Sequence, residues 1–243
     1  ITFPDPTTVT YSVVSNLMIH TVDYCSIASL NRILPNKDKI IKIQTSKEDD
    51  EELDSILNGF DLTKACLIHP GRHWDSKTFP REWWQGVVNS ISKIVPVCII
   101  GTDDHEDRGA YQLDLPENSI NLIDRTSVGV LISVISRAPL LLSNDSAPVH
   151  IAGAFDNNIV LIPSCKNPDH VLPYRMSKDG IVSNYHKSVA LYKNLTLDDC
   201  DQRTITWLDG GSSAEHKKYD WSYYLPEIDD VCENVLNIYK NVT

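Results

Sequence analysis

Ser143-Asn144-Asp145-Ser146-Ala147-Pro148-Val149-His150 is the stretch that decides how this chain folds. The apolar run Ala138–Leu142 precedes it, and a short helix-like segment, Ile151–Phe155, follows. An aliphatic strand that stops in small polar residues and turns into a helix is the plan of a ligand site in an open α/β sheet. Ligands there sit outside the carboxyl ends of the strands. Ser143, Ser146 and Ala147 let a ligand approach the backbone, and the first N–H groups of the helix are expected to be free for an anion. Asp145 and His150 are the polar groups placed to be specific. The stretch therefore predicts a turn that binds a nucleotide or a phosphosugar. Each residue also has a plain structural alternative: Asp145 as a helix cap, His150 as a core histidine.

The flanking sequence repeats the strand–loop–helix pattern. Ala65–His69, Val95–Ile100, Leu140–Ser143 and Ile159–Ile162 are short apolar runs, with a shorter one at Ile120–Leu122. Helices are predicted over Arg81–Ile94, Asp107–Leu113, Ser127–Ser136 and Pro226–Val242. Continuous apolar strands alternating with helices indicate a parallel sheet covered on both faces. Upstream, Lys47–Asn58 reads as a helix capped by Ser46 and closed by Gly59. His20–Leu34 reads as a helix stopped before Pro35, and Lys37–Gln44 alternates Ile with Lys like a half-exposed strand. From Ser164 to Gly211 turn residues dominate, with strand-like pieces at Val189–Leu191 and Thr204–Trp207.

Composition narrows the function classes. The chain has 243 residues, 42% of them hydrophobic and 23% charged, as in an ordinary globular protein. A formal net charge of −11 disfavours a broad nucleic-acid groove, though not a local basic pocket. No apolar run approaches the roughly 18 residues of a membrane span, and the first residues lack the pattern of a signal peptide. The six cysteines are scattered without zinc spacing, which suggests reduced thiols and a cytoplasmic location. The absence of an initiator Met suggests a fragment or a processed product. The sequons at Asn194 and Asn241 are then idle. The aromatic run Tyr219–Tyr224 is read as packing for the last helix.

Three further loops leave strand ends. His69-Pro70-Gly71-Arg72 leads on to Lys77, and two cations on a Gly-containing loop suit a diphosphate, Arg72 as a planar fork and Lys77 as a point charge. A solvated loop with surface charges is the alternative. Gly101 opens a polar loop in which Asp103, Asp104 and Glu106 are candidates for ribose hydroxyls or for helix capping. Thr126 or Ser127 would cap the helix from Val128, with its N-terminus free to face the same site.

Taken in order, these blocks resemble the C-terminal half of the heptosyltransferase family, the ADP-heptose:lipopolysaccharide glycosyltransferases. The resemblance runs from about Ala65 to Arg175. Its marks are Leu67-Ile68-His69-Pro70-Gly71 with Lys77 and Pro80, Trp83, Ile99-Ile100-Gly101 and Asn121-Leu122-Ile123-Asp124-Arg125-Thr126-Ser127. The last is the block from Leu142 to Ala152. The resemblance implies a GT-B type α/β fold, a Rossmann-like parallel sheet with helices on both faces, and an N-terminal domain largely missing from this chain. Residues 1–60 would be the end of the acceptor-side domain and its linker, 61–225 the nucleotide-sugar-binding domain, and 226–243 a helix crossing back. It implies inverting, metal-independent sugar transfer from a nucleotide-diphosphate donor to an acceptor hydroxyl, with no cofactor. It implies that Lys77 meets the donor phosphates, that Asp145 and the backbone after it face the diphosphate or sugar, and that Glu106 or Asp104 meets the ribose. With the loop readings above, the expected donor-binding set is Lys77, Arg72, Gly71, Gly101, Asp104, Glu106, Thr126, Asn144, Asp145, Ser146, Ala147 and His150. The family's acidic base lies early in the missing part, so no catalytic residue is assigned here. Ala147 stands where the family has Gly, and Thr78-Phe79 replace a more usual basic or aromatic pair.

A glycan is the acceptor this reading implies; transfer to DNA bases or to protein is the first alternative. A non-catalytic nucleotide-sugar-binding module and a nucleotide-sugar epimerase are the others. If Lys77 serves the leaving phosphate, Lys77→Ala should lower turnover far more than stability.

Overall fold

The computed structural model describes residues 20–72, 77–103, 109–163, 167–193 and 221–241. The apolar runs pair into one six-stranded sheet built from β1 (Cys66–His69), β3 (Val97–Ile99), β5 (Ile120–Asn121), β6 (Leu140–Asn144), β7 (Asn158–Ile162) and β10 (Ser188–Ala190). Its order is β5-β3-β1-β6-β7-β10, and every pairing is parallel. In chain order this is the doubly wound Rossmann arrangement, and it reverses direction between β1 and β6. Small antiparallel pairs stand apart: β2 (Gly71–Arg72) with β4 (Gly109–Ala110), and β8 (Arg175–Met176) with β9 (Val182–Ser183).

The strands are apolar throughout because both faces are covered. Cys66, Ile68, Val97, Ile99, Leu140, Leu142, Val160 and Ile162 face α3 (Arg81–Ile91) and α8 (Ile228–Lys240). The alternate residues Leu67, Cys98, Leu141, Ile159 and Leu161 face α2 (Lys47–Leu57), α4 (Val128–Arg137) and α5 (Ala147–Ala152). Period-two alternation of side chains thus fills two cores from one run of residues. The helices α1 (Thr21–Leu30), α6 (Pro168–Val171) and α7 (Trp221–Tyr224) complete the described elements of this class. Helix α8 lies along α3, and the bare Gly86 makes room for Ile228: a Cβ there would fall 2.6 Å from the Ile228 Cδ1.

Local chemistry sets the helix ends. Ser46 Oγ accepts from the Asp49 N–H and starts α2, which stops at Asn58 in the left-handed region (φ 46°) followed by Gly59 (φ 90°). Ser127, not Thr126, caps α4, its Oγ accepting from the Val130 N–H at 3.1 Å.

Four sequence expectations need correction. Lys37–Gln44 forms no strand; it holds a 3-10 turn, Asn36–Asp38, and irregular chain. Alternation needs an exposed polar face, and here Lys39 is buried, with Nζ 2.6 Å from Asp23 Oδ1 and above the Tyr174 ring. The described part of Asp107–Leu113 is strand and loop, not helix: Gly109–Ala110 pairs with Gly71–Arg72. Helix α1 ends at Leu30, four residues early, because Asn31 turns left-handed (φ 52°) and its N–H bonds back to Ile27 O. Helix α5 starts at Ala147 rather than Ile151, so half of the opening motif is helical. The predicted strand Thr204–Trp207 lies outside the described residues.

Candidate functional site

The reversal between β1 and β6 opens a crevice at the carboxyl end of the sheet, which is where doubly wound folds take ligands. The loops from both strands meet there. Lys77, beyond β1, and Asp145, after β6, are 68 residues apart in sequence, yet Nζ stands 2.7 Å from Asp145 Oδ2. The same ammonium donates to the Asp145 main-chain oxygen at 2.9 Å. The side chains are 13% and 5% exposed, so this is a nearly buried ion pair at the mouth of the sheet. Removing Lys77 would leave a desolvated carboxylate behind, so Lys77→Ala costs stability as well as any phosphate contact.

Asn144, the last residue of β6, is 2% exposed. Its Nδ2 donates to Gly71 O at 2.7 Å and to Lys77 O at 3.0 Å. Two carbonyls can be met only by the NH₂ end of the amide, which fixes its orientation. The NH₂ end of the amide is thus spent on the protein's own backbone.

His69, at the end of β1, is the residue that sequence reasoning passed over. It sits in register with Ser143, whose Oγ lies 3.3 Å from Nδ1. Burial holds its imidazole down to about 4, against a weaker upward pull from the Asn144 side chain, so the ring is neutral at physiological pH. The ring fills the space under two glycines. A Cβ on Gly71 would fall 2.3 Å from His69 Cε1, and one on Gly101, whose φ is +141°, would fall 2.5 Å from the Ala110 Cβ and 3.4 Å from His69 Cδ2. The readable signal was a lone histidine ending an apolar strand just before Pro-Gly.

The other predicted residues distribute around this centre. Gly71 is buried, and the side chain of Arg72 lies outside the described residues, as do Asp104 and Glu106. Gly101 lies two residues beyond β3, and its carbonyl accepts from the Asp124 N–H at 3.1 Å, while Asp124 Oδ1 accepts from the Asp103 N–H at 2.8 Å. These bonds tie the loop after β3 to the loop after β5, which carries the half-buried Thr126. Ser146 is half-buried and Ala147 exposed, so the Ala147 methyl displaces no packed neighbour. His150 is half-buried in α5, within electrostatic range of His20. The expectation of free N–H groups at the start of α5 is narrowed: Pro148 has no N–H, and the Val149 N–H bonds to Ser146 O at 3.1 Å.

Beside the crevice, Pro80, Trp83, Trp221, Leu225 and Ile228 line a cavity of about 320 Å³, flanked by the ion pair of Lys193 with Glu227. Among the described residues no helix is long and apolar enough to cross a membrane.

Known proteins match this arrangement. The profile of glycosyltransferase family 9 (heptosyltransferase) covers residues 18–199. No curated protein sequence matches the chain significantly. Among solved structures, the chain is similar to a glycosyl transferase family 9 protein from Veillonella parvula at a TM-score of 0.62. Identity there is 14%, over 92% of this chain and 60% of that one. It is also similar to ADP-heptose LPS heptosyltransferase II from E. coli, at 0.48 and 15% identity over 71% of this chain and 54% of that one. The chain thus spans little more than half the length of these solved relatives. The first match carries the same α/β fold, and the family profile takes in both strand ends of the crevice, so the chain belongs to glycosyltransferase family 9, the heptosyltransferase family.

Proposed function

We propose that this chain is the donor-binding part of a glycosyltransferase that moves a sugar from a nucleoside-diphosphate donor to a hydroxyl of a glycan acceptor. The reaction inverts the anomeric centre and uses neither metal nor cofactor. The observation that carries this reading is the convergence of Lys77 and Asp145 at the point where the strand order reverses. The acceptor oxygen bonds to the anomeric carbon, the bond from that carbon to the diphosphate breaks, and a base takes the hydroxyl proton. Negative charge grows on the leaving diphosphate in the transition state. Lys77 would meet that charge, and its pairing with Asp145 would keep the long side chain ordered before the donor arrives. Asp145, the loop backbone at Gly71 and Gly101, and Thr126, Ser146, Ala147 and His150 would form the walls. Arg72, Asp104 and Glu106 retain their proposed phosphate and ribose roles. The base belongs to the acceptor-side domain, to which residues 1–60 and the helix at 226–243 would connect. A cytoplasmic location fits the free thiols of Cys25, Cys66, Cys98 and Cys232.

Calorimetric titration with ADP, UDP, GDP and CDP in excess EDTA tests the reading. One of the four should bind in the micromolar range, unchanged by the chelator, and lose at least tenfold in Lys77→Met. No binding across the panel, or binding abolished by EDTA, would overturn it.

A further inference from the structure

We infer that Asn144 is a positioning residue for Lys77: it sets where the ammonium stands and does not itself touch the donor. This rests on reading Lys77 as the group that meets the leaving phosphate. The amide Nδ2 spans two carbonyls that bracket the loop after β1, Gly71 O at 2.7 Å and Lys77 O at 3.0 Å. The second of these belongs to the lysine itself. The neighbouring residue, Asp145, then holds the same lysine by its ammonium. Two consecutive residues of one strand end therefore fix Lys77 at both ends, backbone by Asn144 and side chain by Asp145. Strand β6 is anchored by five parallel pairings to β7 and four to β1, so it is a rigid reference from which to place a loop. At 2% exposure, with its donor end turned to the protein, Asn144 offers a ligand no N–H. An aspartate of the same shape would set a carboxylate oxygen against two carbonyls, reversing the attraction without changing volume.

The test uses the whole chain in two independent arms. In the first, a short pulse of acetic anhydride is followed by mass spectrometry of each lysine. Asn144→Asp and the milder Asn144→Ser should acetylate Lys77 at least tenfold faster than the parent, while Lys39, buried in its pair with Asp23, stays unchanged. An equal rise at Lys39 would mean general loosening, and no rise at Lys77 would mean no clamp; either overturns the inference. In the second arm, binding of the nucleoside diphosphate selected above is measured for Asn144→Ser, Lys77→Met and the double variant. A residue that acts through Lys77 adds less than twofold once Lys77 is gone, whereas losses that multiply would overturn the inference. If the parent binds no nucleoside diphosphate, the functional reading fails and the acetylation arm alone decides the clamp.

Discussion

Replacing Lys77 with Met should destabilise the protein as well as disarm it, and the two effects can be separated. The substitution keeps most of the side-chain volume but strips the charge from a pair whose carboxylate is 5% exposed. Breaking a buried pair from one side costs about 3–5 kcal/mol, because the remaining charge is left desolvated. The 13% exposure of Lys77 lets some water reach the site, so about 3 kcal/mol is the working figure. For a chain of this size, that lowers Tm by about 6–12 °C. Asp145→Asn in the Lys77→Met background removes the buried charge and should restore more than half of the loss. Nucleoside-diphosphate binding should stay impaired in both. Thermal unfolding followed by far-UV circular dichroism at neutral pH and low salt reads the stabilities. A Lys77→Met protein that melts within about a degree of the parent, or a double variant no more stable than the single one, would refute the reasoning about the pair.

Three other outcomes follow from named contacts. His69 is neutral when folded because burial holds it to about 4, while its unfolded value is about 6.5. Its contribution is therefore complete above pH 6.5 and is lost as pH falls towards 4, reaching about 2 kcal/mol lost at pH 5. His69→Gln should flatten the denaturant-measured stability between pH 7 and 5, and an unchanged slope would contradict the assignment. Gly101→Ala combines a φ of +141° with a contact of 2.5 Å to the Ala110 Cβ, so it should cost about 2–3 kcal/mol by urea melt. A neutral effect would argue against that backbone. Ser127→Ala removes the cap on Val130 and should cost about 1 kcal/mol in the same assay, with Thr126→Ala near zero.

How much of this was legible in the residues depended on whether local pattern and tertiary partner agreed. The strands at Cys66, Val97, Leu140 and Asn158 were readable because burial on both faces forces unbroken apolar runs. Their order was not readable from any one strand; the family resemblance implied a Rossmann-like parallel sheet, and the reversal between β1 and β6 comes from the pairing itself. Lys37–Gln44 misled because nothing in an Ile/Lys alternation reveals that Lys39 is folded inward onto Asp23 and Tyr174. The stretch Gly109–Ala110 misled because its two-residue pairing with Gly71–Arg72 depends on a partner far away in sequence. In the candidate site, Lys77 and Asp145 were both picked out, but their direct pairing was not. The role of His69 was hidden because a buried histidine and a ligand-facing one look alike in sequence; only the fit of its ring beneath Gly71 and Gly101 separates them.

Amide hydrogen exchange with and without the bound nucleoside diphosphate tests the central claim most directly. The account predicts slowed exchange confined to peptides around 69–77, 101–103 and 143–150, the loops that meet where β1 and β6 diverge. Protection centred instead on Trp83, Trp221 and Glu227, or no change anywhere on saturation, would contradict it.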